Sequence, residues 1–193
     1  ALVVFAETVQ QSNQTTYESD VDPLRRFLME KSINSQMKIT GAAEQKNSIV
    51  RFTNPTIQPC DTSPNFVIAS IDIETGAKTN QLYSIAVHIT GKNGEHKKVF
   101  MIGEKPKRDS ELISFYNDER ELLTNFFVWF KQIDPDIIIG WHVIGFDLLF
   151  LDNKCRELGI SLDIARANGR VSIRQRKPSG HFISVTGRVV IDG

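Results

Sequence analysis

Asp72 and Glu74 stand two residues apart at the end of an otherwise apolar run, 66–73, that closes at Thr75-Gly76. Alternation along a strand puts Val67, Ala69, Ile71, Ile73 and Thr75 on one face. Phe66, Ile68, Ser70, Asp72 and Glu74 share the other. That second face begins apolar and turns acidic. Carboxylates at i and i+2 have Cα atoms about 7 Å apart and point the same way. Such a pair repels and loses hydration unless something neutralises it. Either the two acids emerge into water as the strand ends, or divalent metal sits between them. Two metal ions about 3.5–4 Å apart suit carboxylates with this reach.

A third acid closes the segment Gly140-Trp141-His142-Val143-Ile144-Gly145-Phe146-Asp147. A buried strand runs into a short loop there, and Asp147 opens a helix. Aspartate at a helix start is a routine N-cap. It is equally placed to be a ligand, because sites in open sheets are built where strand ends and helix starts meet at one edge.

The elements that must position these residues follow from the apolar pattern. Asp20 or Asp22 can cap a helix with Pro23 in its first turn and Leu24, Phe27 and Leu28 on one side. Residues 32–65 are mostly polar, with a strand expected at 49–52 and Pro55, Pro59 and Pro64 as punctuation. Strands are expected at 66–73, 82–90 and 98–102, the last two joined by a turn at Gly91-Lys92-Asn93-Gly94. Leu112, Phe115, Leu122, Leu123, Phe126, Phe127 and Phe130 recur at helical spacing, predicting a helix over 111–132 in which Trp129 and Phe130 belong to the core. A strand at 136–140 and a helix from 146, with Leu148, Leu151, Cys155 and Leu158 as its stripe and Gly159 as its stop, come next. The remainder predicts a hairpin, 171–176 and 182–185, then a strand at 188–191. Three strands in a meander followed by helix, strand, helix and more strands give an α/β class with a mixed sheet flanked by helices, as in ribonuclease-H-like folds. The expected division is a lead-in over 1–65, the edge of a preceding domain, and a main domain over 66–193.

Composition excludes several classes. The 193 residues are 40% apolar and 24% charged, which rules out collagen, a low-complexity linker and wholesale disorder. No apolar run approaches the ~18 residues of a membrane helix. Two cysteines, Cys60 and Cys155, are too few for a disulfide framework and suit a reducing cytosol. The chain begins at Ala1 and ends on Asp192-Gly193, so it is expected to be a piece of a longer protein. The 23 basic and 23 acidic residues cancel, yet no acid occurs between Ile164 and Ile191. Arg166, Arg170, Arg174, Arg176, Lys177 and Arg188 all fall there. This is a solvated basic segment or a binding surface.

Ser70-Ile71-Asp72-Ile73-Glu74-Thr75 resembles the first exonuclease motif of family B DNA polymerases, their bacterial members above all. Asp134-Pro135-Asp136-Ile137-Ile138-Ile139-Gly140-Trp141, continuing to Phe146-Asp147, resembles the second. Tyr17-Glu18-Ser19-Asp20-Val21 with Arg26-Phe27-Leu28-Met29-Glu30 is similar to the segment leading into that domain, and 187–193 to a later strand of it. The resemblance implies a 3′-to-5′ proofreading exonuclease of ribonuclease-H-like fold, truncated at its C-terminus. The family's site holds two Mg²⁺ ions (Mn²⁺ as a substitute) on four carboxylates, of which Asp72, Glu74 and Asp147 match three, as catalytic and metal-binding residues. The implied partners are the 3′ end of single-stranded DNA or a primer-template, the polymerase domains of a parent chain and a sliding clamp in that parent. The implied location is the bacterial cytoplasm, with no membrane contact.

Two departures stand out. His142 occupies a position where the family has Asn near the bound strand; it hydrogen-bonds a nucleotide there or fills a loop. Phe146 lies beside it as a further DNA contact, and Trp141 serves either the core or a base. The family's third motif, Tyr-x-x-x-Asp, is missing: Tyr17, Tyr83 and Tyr116 are followed at that interval by Val21, Val87 and Arg120. This chain alone is therefore expected to be nearly inert. A catalytically silent, DNA-binding domain is one alternative. Another uses His142 as general base and Asp109, Asp118, Asp134 or Asp136 as the missing ligand. On the last hairpin, Val171 and Ile173 face one way and Arg174 and Arg176 the other, so the arginines can hold phosphates of a single strand.

Overall fold

The computed structural model describes residues 21–47, 49–91, 94–104, 111–176, 178 and 180–193. The expectations for 1–20, for the Lys92-Asn93 turn, and for Asp109 and Lys177 lie outside the described residues. The chain separates into two compact units, 1–64 and 65–193.

In the first unit, α1 (Pro23–Glu30) starts at Asp22, whose carboxylate accepts from the Leu24 and Arg25 amides, with proline in the first turn as the sequence predicts. Strands β1 (Met37–Lys46) and β2 (Ile49–Pro59) form an antiparallel ribbon. This corrects the short strand and proline-broken lead-in expected there. Pro55 is tolerated because the register shifts beside it: Thr40 pairs with Thr56 but Ala42 with Thr53. A bulge needs no ladder N–H at that point.

The second unit is built on a six-stranded mixed sheet. Its strands are β3 (Ile68–Thr75), β4 (Leu82–Gly91), β5 (Gly94–Ile102), β6 (Ile113–Tyr116), β7 (Ile137–Gly140) and β10 (Val189–Asp192), in the order β10-β7-β3-β4-β5-β6. The meander β3-β4-β5 is antiparallel, while β3, β7 and β10 run parallel. The alternation read from the sequence holds. Ala69, Ile71 and Ile73 are buried and Asp72 and Glu74 exposed. Strand β3 begins at Ile68, leaving Phe66 outside it and exposed.

Helix α2 (Glu119–Ile133) lays Leu122, Leu123, Phe126, Phe127 and Phe130 into the core, each burial worth about 2 kcal/mol. Phe100 meets Phe126 and Trp129 edge-on at 5.5 and 5.6 Å, so Trp129 is core, as expected. The helix does not reach back to 111. Asp118 caps it by accepting from the Glu121 amide at 2.8 Å, and Ile113–Tyr116 pairs in parallel with β5 instead. Four residues with Phe115 among them fit either period, and the cap decides between them.

Helix α3 (Leu148–Glu157) follows, then the hairpin β8 (Val171–Gln175) and β9 (His181–Val185), a separate two-stranded sheet. Two of the basic residues read as surface charge are structural. Arg188, 8% exposed, donates to the Ile164 and Pro135 carbonyls and pairs with Asp134 at 2.9 Å. Arg166 pairs with Asp134 at 2.7 Å and Asp136 at 2.8 Å. The other oxygen of Asp136 accepts from the Val67 amide at 2.8 Å. This network ties together the starts of β3, β7 and β10, the ends of the strands away from Asp72 and Glu74.

Arg188→Ala leaves two buried carbonyls without donors, so urea unfolding should show a loss of about 3 kcal/mol. Arg166 holds Asp134 below the usual carboxylate range, and the Val67 amide does so for Asp136. Their stabilisation is therefore full at neutral pH. It disappears as pH falls below the ordinary carboxylate value near 4, and an acid titration of the unfolding midpoint checks this.

Candidate active site

Three consecutive local features bring Asp147 to β3. First, β7 stops at Gly140, packed so closely that a Cβ there would lie 2.7 Å from the Ile71 carbonyl and 2.9 Å from Val143 Cβ. Only glycine lets the chain leave the sheet at that point. Second, His142 adopts a left-handed conformation, φ 57°, and reverses the chain. Its ring lies over Gly145, where a Cβ would come within 2.6 Å of Cε1. Third, Val143–Asp147 forms a π-helical turn, closed by the Leu148 amide donating to the Val143 carbonyl. Wide turns of this kind recur at functional sites because they re-aim a side chain.

The result is specific. Strand β7 pairs with β3 only as far as Ile139 opposite Ser70. Beyond it, the Ile73 amide has no strand to bond. The Asp147 carboxylate takes the place of that strand, accepting from Ile73 N–H at 3.1 Å. Asp147 makes no cap hydrogen bond to its own helix, so the routine explanation for an aspartate at a helix start does not apply. Its carboxyl is anchored at Ile73, the residue that separates Asp72 from Glu74 in the strand, and lies near enough to Asp72 to feel its charge.

Asp147 is 2% exposed. Burial, more than anything else, pushes its carboxyl up to about 6; the Asp72 charge adds to the rise, and its own backbone amide, the Ile73 amide and His142 oppose it. Asp72 and Glu74 are exposed. No Lys or Arg forms an ion pair with any of the three acids among the described residues. An oxygen-only carboxylate set suits Mg²⁺ or Mn²⁺. A divalent cation would offset both the burial cost of Asp147 and its repulsion by Asp72. Among the described residues no three His, Cys, Asp or Glu side chains form an assembled metal-holding group, so Asp72, Glu74 and Asp147 do not stand together as a ready-made cation site.

Trp141 and Phe146 flank the turn at 85% and 45% exposure, and His142 is exposed between them. The acids considered as a missing ligand are engaged elsewhere: Asp118 at the α2 cap, and Asp134 and Asp136 with the arginines. Arg174 and Arg176 are exposed on the hairpin. Sequence reasoning missed Ile73 as a site residue, because a backbone donor has no side-chain signature.

The described residues contain no helix long and apolar enough to cross a membrane. The family described as DNA polymerase family B, exonuclease domain, matches residues 14–193. DNA polymerase II of Escherichia coli is 31% identical over all of this chain, which covers 24% of that protein. A DNA polymerase of Archaeoglobus fulgidus is 32% identical over 51% of the chain and 12% of its own length. The chain thus spans a quarter or less of these relatives. The solved structure of the family B DNA polymerase from Pyrobaculum calidifontis superposes with a TM-score of 0.63, at 21% identity, over 91% of this chain and 22% of that one. That likeness shows a shared fold, the ribonuclease-H-like arrangement expected from the strand order.

The raised Asp147 carboxyl has a consequence for stability. The folded state holds its proton up to about pH 6, the unfolded chain only to about 3.9. Wild-type protein therefore loses stability as pH rises from 4 to 6 and carries the full penalty above that. Asp147→Asn keeps the acceptor for Ile73 and removes the charge. In metal-free buffer it should unfold about 2–3 kcal/mol harder than wild type at pH 7 and equally at pH 4, measured by urea titration at both pH values.

Proposed function

This chain belongs to the family B DNA polymerases, as their exonuclease domain, and on that footing we propose that it excises 3′-terminal nucleotides from single-stranded DNA. Asp72, Glu74 and Asp147 are the catalytic, metal-binding acids in this reading. The observation that carries it is the buried Asp147 carboxyl fixed to the amide of Ile73, the strand residue that separates Asp72 from Glu74. A fold that spends stability on a desolvated, repelled carboxylate with no Lys or Arg partner among the described residues gains when a cation binds there.

When bound, a pair of Mg²⁺ ions supplies Lewis-acid activation of water and neutralises the leaving 3′ oxygen. The chain's own residues do the placing. Ile73 N–H fixes the rotation of the Asp147 carboxylate, and the strand fixes the spacing of Asp72 and Glu74. Trp141, His142 and Phe146 stand at the rim, where a terminal nucleotide contacts them. Arg174 and Arg176 hold phosphates further along the strand. The fourth acid and the tyrosine of the third motif do not occur in this sequence. Residues 66–193 are accordingly an incomplete catalytic unit, 1–65 its lead-in, and the parent a bacterial cytoplasmic polymerase that corrects its own errors.

A second reading, a silent domain that binds DNA without cutting it, draws on the open arrangement of the three acids. Calorimetry separates the two. Mn²⁺ should bind the chain, more weakly below pH 6, and Asp72→Asn and Asp147→Asn should each abolish that binding. This chain should digest 5′-labelled single strands barely. A chain extended through a Tyr-x-x-x-Asp should digest them rapidly, with a loss of about a thousandfold or more in Asp147→Asn. Absence of Mn²⁺ binding at neutral pH, together with no digestion by the extended chain, establishes the silent domain.

A further inference from the structure

Lys154 takes an apolar position. The buried face of α3 is Leu148, Leu151, Lys154 and Cys155, and the lysine is 3% exposed. A charge so placed is unfavourable unless it is paired. Its ammonium donates to Glu119 Oε1 at 3.2 Å and to Glu157 Oε2 at 3.1 Å. Glu157 lies one turn further along α3, and Glu119 opens α2.

Both carboxylates lead back to the acid site. Glu119 Oε1 also accepts from the Leu82 amide at 2.6 Å. Leu82 opens β4 opposite Thr75, where the register of β3 and β4 shifts just past Glu74. Glu157 Oε2 accepts from Asn80 Nδ2 at 3.2 Å, in the turn that joins the same two strands. That turn is closed by the Gly76 amide donating to the Gln81 carbonyl at 2.8 Å. Two strand amides beside Glu74 in the ladder, Ile73 and Leu82, are thus both satisfied by helix carboxylates. The first is answered by Asp147, at the start of α3. The second is answered by Glu119, which Lys154 grips from about 10 Å further along the same helix.

Helix α3 is therefore tied to the β3–β4 hairpin at two points. With Asp147 alone, the helix could roll on Leu148 and Leu151. A shift of about 1 Å takes the contact to Ile73 out of hydrogen-bond range. Lys154 blocks that roll. Stability by itself does not call for a lysine here, because apolar side chains of similar volume often serve as well as a buried ion pair. A charged pair instead fixes one arrangement of the elements that carry it.

We propose that Lys154 is a positioning residue for the acid site: it clamps α3 to the β3–β4 turn, so that the Asp147 carboxyl stays on the Ile73 amide. This rests on the function proposed above and adds a residue two helical turns from the acids.

Native-state amide hydrogen exchange in EDTA, followed by NMR, tests the clamp without metal. Lys154→Met/Glu119→Gln replaces both charges by side chains of similar size and keeps an acceptor for Leu82. In this variant the Ile73 amide should exchange about tenfold faster, while Phe126 in α2 and Ile138 in β7 change by less than about twofold. Mn²⁺ calorimetry on the same samples should show an affinity about tenfold lower. Lys154→Arg, which keeps the charge, should match wild type in both measurements. The proposal is overturned if Ile73 keeps its protection in the double variant, or if Lys154→Arg loosens Ile73 as much. It is equally overturned if Ile73, Phe126 and Ile138 lose protection together, as a purely structural pair requires. A wild type that binds no Mn²⁺, with Ile73 loosened as expected in the double variant, counts against the metal assignment and not against the clamp.

Discussion

Strand β7 is shorter than the strand beside it, and one backbone amide is left over. Ile73 N–H lies past the last β7 pairing, in a part of the sheet where an unbonded donor costs about 1–3 kcal/mol. Asp147 supplies the acceptor. The same contact that completes the ladder brings a third carboxyl to the strand bearing Asp72 and Glu74. Structure and site are therefore coupled through a single bond. The sheet gains its acceptor, and the acid is buried beside the Asp72 charge with its proton held to about pH 6.

The two ends of the parallel strands divide the work. At their starts, Arg166 and Arg188 clamp Asp134 and Asp136 and bind the Val67 amide into the same network. There, charge is paired and satisfied. At their ends, Asp72, Glu74 and Asp147 have no Lys or Arg among the described residues to neutralise them. A fold that knows how to pair its aspartates at one edge leaves them unpaired at the other. The contrast is the physical ground for assigning cations to the second edge.

Much of this was legible in the residues. The period-two alternation of β3 placed Asp72 and Glu74 on one exposed face, and the apolar stripe of α2 marked its core side. What failed did so for local reasons. Pro55 reads as a break unless the bulge that accommodates it is known. Leu112 and Phe115 fit a helical period until Asp118 caps the helix after them. Arg188 looks like surface charge because its acceptors, the Ile164 and Pro135 carbonyls, are backbone atoms distant in sequence. Asp147 was visible as a cap or a ligand, and only the bond to Ile73, 74 residues away, decides that it is no cap.

The most direct measurement is the ¹³C NMR titration of the Asp147 side-chain carboxyl, with and without Mg²⁺. A midpoint near pH 6 in metal-free buffer that drops by more than one unit when Mg²⁺ is added means a buried acid waiting for a cation. A midpoint near 4 that ignores Mg²⁺ means a solvated carboxylate with no metal to hold, and the assignment of the site fails with it.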